Sequence, residues 1–481
     1  MLMVSVIILV ESAHSTTIVV TSGESIQAAI NMAGPSDTIE VHSGIYEENL
    51  DVHKRISLCG VDTGNGMPII DALSRGSAIA LNADGCGLYG FELKNSSYDM
   101  AAGINVMSNK NTIMGNNVNN NAYGIALWNA SYNDIKENDV LHNRVSGIGL
   151  VNSTYNNISG NVINYNRYGM ELRYCSNNNI AGNDAGYNDM VGFSLKNSNS
   201  NIITDNEIYS NNVGGIDIWD SLYNTICGNC IKFNKRNGLT LSNCFHNNVT
   251  NNTLYNIMHS IFLYSSMNNT IKGNSASSSG FRGSGIYLSK SSYNTVASNT
   301  AIGSVSWGNG IHLQSSGNNL IKDNDVKGGQ MGSGIAICRC SGNIINKNNA
   351  TSQFFWGNGI FLSNSKANMI RNNDVCNNGD DGIYIRDSDE NTITQNNALC
   401  NKIGIILTNG LLQAGCHHNI ITYNNASNNK WGIYLSFSSN NVISGNTANK
   451  NKKVDILLSD SHLNIVKDNK IKTFKDVITL N

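Results

Sequence analysis

A spacing of about 23 residues repeats from residue 103 to the end of this 481-residue chain, and it limits the possible folds more than any other feature. Each unit opens on Gly-aliphatic-x-aliphatic, as in Gly124-Ile125-Ala126-Leu127, Gly215-Ile216-Asp217-Ile218 and Gly432-Ile433-Tyr434-Leu435. Nine residues after the Gly comes an Asn (Asn133, Asn224, Asn441), two further on an aliphatic (Ile135, Ile226, Ile443), and three after that a second Asn (Asn138, Asn229, Asn446). Alternating apolar residues over a few positions describe a short strand with one face inward. Three such segments per unit, divided by Asn, Gly and Ser, describe a coil of three strands. A unit this short cannot bury its own apolar face, but stacked units can, closing their backbone hydrogen bonds about 4.8 Å apart. The spacing predicts an all-β chain forming a single-stranded parallel β-helix, a solenoid with three strands per coil and about 16 or more coils. Asn suits the corners because it tolerates left-handed backbone and its amide can bond the Asn one coil away.

The segment before the repeats reads differently. Residues 16–102 carry strand patterns at Thr16–Val20, Thr38–Val41 and Ile56–Leu58, with an amphipathic helix over Gly23–Ala33 placed to cap the open apolar end of the coil. Residues 1–15 combine the apolar run Leu2–Val10 with small residues at Ser12, Ala13 and Ser15. That is the pattern of a signal peptide without its basic start. No other run approaches the length of a membrane span, so no transmembrane span is expected. The three expected regions are thus 1–15, 16–102 and 103–481. With 32 basic against 34 acidic residues there is no field to gather nucleic acid, and 40% hydrophobic content excludes a disordered chain.

The runs Ser25-Ile26-Gln27-Ala28-Ala29-Ile30-Asn31, Gly44-Ile45-Tyr46-Glu47-Glu48-Asn49 and Ile56-Ser57-Leu58-Cys59-Gly60 resemble the cap and first turns of right-handed parallel β-helix proteins of the pectate-lyase-like superfamily. The Gly-Ile-x-Leu units resemble their PbH1, or CASH, repeat, and within that group the chain is most similar to archaeal cell-surface proteins and NosD-type periplasmic copper-binding proteins. The resemblance implies a right-handed helix and a place outside the cell, at its surface or in the periplasm. It is specific for fold, because the matching positions are structural ones.

In each opening strand the residues two and four after the Gly face outward. They supply an aromatic and charged face, in which Trp128, Trp219, Tyr264, Tyr287, His312, Tyr384, Arg386 and Tyr434 are the candidates for binding carbohydrate: rings pack on pyranose C–H groups, and charged groups bond hydroxyls. The same face offers a catalytic alternative. Glu171 and Asp217 stand two coils apart, about 9.6 Å, near the wide limit of an inverting glycosidase pair, with Arg173 and Lys196 between them. The Asn-Thr-Asp, Gly-His-Gly and Arg-Ile-Lys signatures of polygalacturonases and the Asp-Pro-His of alginate epimerases are absent.

Cys416, His417 and His418 are the candidate metal ligands, in an insertion over residues 411–417; the acidic turns Asp380-Asp381 and Asp387, Asp389, Glu390 are candidates for Ca²⁺. Cys376 and Cys400, at nearly matching positions of adjacent coils, are candidates for a disulfide. No cofactor is required by the sequence, and Ca²⁺ or copper are the ions it could take. The expected function is a secreted or cell-surface β-helix protein that binds polysaccharide or a cell-envelope glycan through its strand face. The alternatives are a polysaccharide lyase, hydrolase or C5-epimerase, a NosD-like copper-binding accessory protein, and a purely structural envelope protein.

Overall fold

The computed structural model describes residues 15–98, 100–352, 356–410 and 415–477, which leaves the expected signal segment almost wholly outside the described residues. The chain divides into two compact units, residues 1–166 and 167–481, and each is a right-handed parallel β-helix. Among the described residues the opening strands number five in the first unit, from Leu50–Val52 to Ser146–Val151. In the second they number fourteen, from Tyr168–Arg173 to Phe474–Val477.

The inward files are continuous within each unit. In the first, Ile79 pairs with Ile104, Ile104 with Ile125 and Ile125 with Ile148; in the second, Phe193, Ile216, Leu239, Ile261 and Ile286 follow one another in register. All of these side chains are fully buried. At about 25 cal/mol per Å² of apolar surface, this burial is what stacking gains, and no single coil could obtain it alone.

The corners depend on asparagine. In the second unit one file runs Asn178, Asn201, Asn224, Asn247, Asn269, Asn294, each fully buried. Asn201 donates both its backbone N–H (2.9 Å) and its side-chain Nδ2 (3.1 Å) to Oδ1 of Asn224, and Asn224 repeats the pair to Asn247 at 2.8 and 3.1 Å. The second amide hydrogen goes to a carbonyl of the preceding coil, as Asn224 Nδ2 does to Ser198 O at 2.9 Å. A second file, including Asn206, Asn229, Asn252 and Asn274, holds the next corner in the same way. In the first unit Asn111, Asn133 and Asn156 make the same ladder.

One detail differs from expectation. The ladder Asn residues are not the left-handed ones; the residue just before each of them is, as at Tyr223 (φ 57°), His246 (φ 56°) and Tyr293 (φ 58°). Left-handed backbone costs an ordinary side chain about 1 kcal/mol or more, and the hydrogen bonds of the Asn that follows offset it. The outward side chains at these corners stack on one another: Tyr132 on Tyr155 at 5.1 Å, and Tyr223 on His246 at 5.2 Å.

The cap is shorter than the pattern suggested. The helix spans Ile26–Met32, begins at an N-cap Ser25 whose side chain accepts from Ala28 N–H, and buries Ile26, Ala29 and Ile30. The Glu48 carboxylate accepts the free N–H groups of Ile26 and Gln27 at 2.9 and 3.0 Å, satisfying the helix start from a neighbouring turn.

Asn224→Ala removes the acceptor of two buried N–H groups of Asn201 and two donors of its own. The expected loss is roughly 2–4 kcal/mol in chemical denaturation. Asn224→Asp recovers little of it, because a carboxylate cannot replace the Nδ2 donors.

Candidate functional site

The strand register of the second unit sets the outward residues in two files. One runs Glu171, Ser194, Asp217, Thr240, Phe262, Tyr287, His312; the other runs Arg173, Lys196, Trp219, Ser242, Tyr264, Ser289, Gln314. Alternation along each strand sends these residues out because the aliphatic residues between them point in.

Two cavities open on this face. The first, about 410 Å³, is lined by Tyr168, Glu171, Arg173, Tyr174, Ser194, Lys196, Trp219 and Asp220. Arg173 pairs with Glu171 at 3.1 Å, while Lys196 is exposed and in no ion pair among the described residues. The second, about 270 Å³, is lined by Val213, Gly214, Asp217, Trp219, Arg236, Asn237, Thr240, Ser242, Phe262 and Tyr264. Trp219 borders both. The expected catalytic group is thereby divided: Glu171, Arg173 and Lys196 share one cavity, and Asp217 lies in the other. Ser194 stands between the two carboxyl residues in the file.

Asp217 has an unusual environment. Its Oδ1 is buried and receives no hydrogen bond among the described residues. Burial pushes its carboxyl up to about 6, against the opposing pull of the Thr240 hydroxyl and the Arg236 guanidinium. Arg236 and Thr240 went unnoticed in the sequence. The available signal was Arg236-Asn237-Gly238, a basic corner immediately before an opening strand.

Farther along the file, ring faces are taken up by one another. Phe262 stacks on Tyr287 at 5.2 Å and Tyr287 on His312 at 4.7 Å, while His259, from the preceding corner, packs on Tyr287 at 4.7 Å. Burial holds both imidazoles down to about 4, His312 adding to the effect on His259. His259 was hidden in the sequence because its unit opens on Ser260 in place of Gly. Trp219, 46% exposed, makes no ring contact among the described residues, while Tyr264 has a tilted contact with Phe262 at 6.4 Å and the Lys290 ammonium over its ring at 5.4 Å. Beyond Ala336 a second group holds Tyr384 against Phe361 at 5.3 Å, with Arg386 over the Phe361 ring at 5.2 Å. Tyr434 lies between Ile406 and Leu457 in the same file. Trp128 belongs to the first unit, at the edge of Tyr123.

The candidate metal ligands do not come together. The Cys416 thiol is buried, faces the carbonyls of Ile385 and Thr408, and is pushed up to about 11 by burial, whereas His418 is exposed at a left-handed corner and His417 bonds the Ser439 backbone. Residues 411–414 of that insertion lie outside the described residues. The acidic turns are engaged locally: Asp387 accepts from Gly410 N–H, Asp389 from His417 N–H and Asp381 from Ile403 N–H, while Asp380 pairs with Lys402 at 2.7 Å. Burial, with Asp380 beside it, pushes Asp381 up to about 7. Among the described residues no three His, Cys, Asp or Glu side chains are grouped to hold a metal ion. The expected Cys376–Cys400 disulfide is also not formed, and every cysteine is a free thiol. The register is off by one: Cys376 Sγ accepts from Leu399 N–H at 3.4 Å, and Cys400 falls at the left-handed position beyond.

Sequence comparison matches residues 61–189, 174–306 and 301–413 to the family described as periplasmic copper-binding protein (NosD), and residues 358–480 to the right handed beta helix region. No curated protein matches the chain. Among solved structures it is similar to the Dettilon tailspike protein, with 15% identity over 68% of this chain and 62% of that one and a TM-score of 0.45, so the chain spans less than two thirds of the tailspike. It is also similar to the periplasmic alginate epimerase AlgG (15% identity, 59% and 76% covered, TM-score 0.34) and to the A-module of the Azotobacter vinelandii mannuronan C-5 epimerase AlgE4 (14%, 95% and 92%, 0.28).

Asp217 gives a testable pH dependence. Its carboxyl titrates near 3.8 in the unfolded chain and near 6 in the fold, so the native state holds the extra proton between those values and stability falls as pH rises through them. Asp217→Asn removes this penalty. The variant should be more stable than the parent by roughly 1–3 kcal/mol at pH 7, with the gap closing by pH 4, as read from denaturation midpoints at each pH.

Proposed function

Because the chain belongs to the periplasmic copper-binding protein (NosD) family, whose match spans most of its length, we propose that it works outside the cytoplasm as a glycan-binding β-helix rather than as a copper carrier. Three of the buried thiols, the candidate ligand Cys416 among them, do not fit copper. Thiolates are the form that binds a soft metal, yet burial pushes Cys244, Cys340 and Cys416 up to about 11, and their sulfurs face backbone carbonyls. Among the described residues no helix is long and apolar enough to cross a membrane.

The observation that carries the glycan reading is Trp219. A half-exposed indole free of ring partners among the described residues, set between a polar cavity and an aromatic one, suits the C–H face of a pyranose, and the flanking carboxylates, Arg173, Lys196 and Thr240 suit its hydroxyls. The half-buried stack of Phe262, Tyr287 and His312 supports that surface, while Trp219 and Tyr264 face the ligand.

The test is retention of purified protein on a panel of immobilised polysaccharides, neutral and uronic, with analysis of the products. Trp219→Ala should reduce retention at least tenfold with an unchanged melting temperature, whereas Tyr434→Ala, on a separate part of the face, should change it less than twofold. Retention on none of the polysaccharides would overturn the reading, and shortened or unsaturated products would make the face an active site.

A further inference from the structure

Cavities of this size are common on a corrugated surface, and the one beside Asp217 holds a buried carboxyl oxygen, Oδ1, that receives no hydrogen bond among the described residues. An unpartnered polar atom in a protein interior costs about 1–3 kcal/mol, and it persists here although the coils on either side place hydroxyl residues, Ser194 and Thr240, next to Asp217 in the file. Gly214 adds to the picture. A Cβ there would lie 3.2 Å from both Asp217 Oδ1 and the Asn237 carbonyl, so the glycine leaves beside that oxygen space that a side chain would crowd. Around it stand Trp219, Phe262 and Tyr264, with Arg236 and Thr240 on the polar side.

We propose that this cavity is the subsite for one neutral sugar unit of the bound glycan, which donates a hydroxyl hydrogen to Asp217 Oδ1 and lays its C–H face against Trp219 and Tyr264. The inference rests on the glycan-binding reading and adds the class of sugar. Asp217 disfavours a uronate, because a second carboxylate beside a buried one meets like charge in a poorly solvated site. Arg236 disfavours an amino sugar for the converse reason. A neutral pyranose meets neither objection, and its hydroxyls match the carboxylate, the guanidinium and the Thr240 hydroxyl as donors and acceptors. At about 270 Å³ the cavity is below the range of drug-sized sites and is on the scale of a single ring.

The experiment is saturation-transfer NMR of the full chain with glucose, galactose, mannose and N-acetylglucosamine, alongside glucuronate and galacturonate. At least one neutral sugar should give a saturation signal in the parent protein, and neither uronate should displace it. Asp217→Ala should weaken that binding at least tenfold. Gly214→Ala, which crowds the approach without altering any charge, should weaken it comparably. Melting curves exclude unfolding as the cause, and Asp217→Asn, expected to melt higher than the parent, should still bind less tightly. Equal binding by the parent and Asp217→Ala, displacement by uronates, or no signal from any neutral sugar would overturn the proposal. If polysaccharide retention sensitive to Trp219→Ala persists in any of those cases, the subsite assignment falls and the broader reading stands. If retention is absent too, both fall.

Discussion

The buried asparagine amide is the interaction on which this architecture depends. Its Oδ1 takes two hydrogens from the coil before it, and its Nδ2 gives one to the coil after and one to a backbone carbonyl, so a polar corner is brought inside with its hydrogen-bonding capacity used. Without that exchange the turn would have to bulge into solvent, the strands on either side would lose register, and the aliphatic files behind them would not meet. The outward face inherits its precision from the same source. Trp219 and Asp217 stand where they do because Asn224 holds the corner that follows their strand, bonded to Asn201 and Asn247 in the coils on either side.

Most of the architecture could be read from the chain because the repeat is periodic in the quantity that folds it, the burial of one residue in two. What escaped was local and directional. The spacing marks an Asn at each corner but does not reveal that the left-handed residue is its neighbour, since Tyr223 and Tyr293 have no intrinsic preference for that conformation and accept it under the constraint of the ladder. A one-residue offset was enough to separate Cys376 from Cys400. Glu171 and Asp217 were legible as occupants of one file two coils apart. Their division between two cavities follows from the size of the Trp219 side chain in the adjacent file, which no count of residues supplies.

The face as a whole joins two kinds of aromatic use that look alike in sequence. Tyr287 and His312 spend their ring faces on neighbours and stiffen the sheet, as cross-strand pairs do in any β-structure. Trp219 and Tyr264 sit at the end of that stack, where the series of rings gives way to small polar residues and space remains above them. Recognition is thus placed at a discontinuity in the repeat. The same holds for Asp217, a charged residue in a file where Ser194 and Thr240 are its neighbours, kept at a cost in stability that a structural role does not explain.

The exchange of hydrogen bonds between successive Asn residues also bears on how such a chain can change over generations. Each ladder residue asks of the next coil only that it present an Asn at the same corner. Excise one coil as a unit, and Asn201 meets Asn247 in place of Asn224, with the same donors and acceptors and no orphaned group. Duplicate one, and the new junctions are equally satisfied. Gene segments of about 23 codons are therefore interchangeable parts, and the number of coils can drift by recombination while the site near Trp219, confined to a few adjacent coils, travels intact.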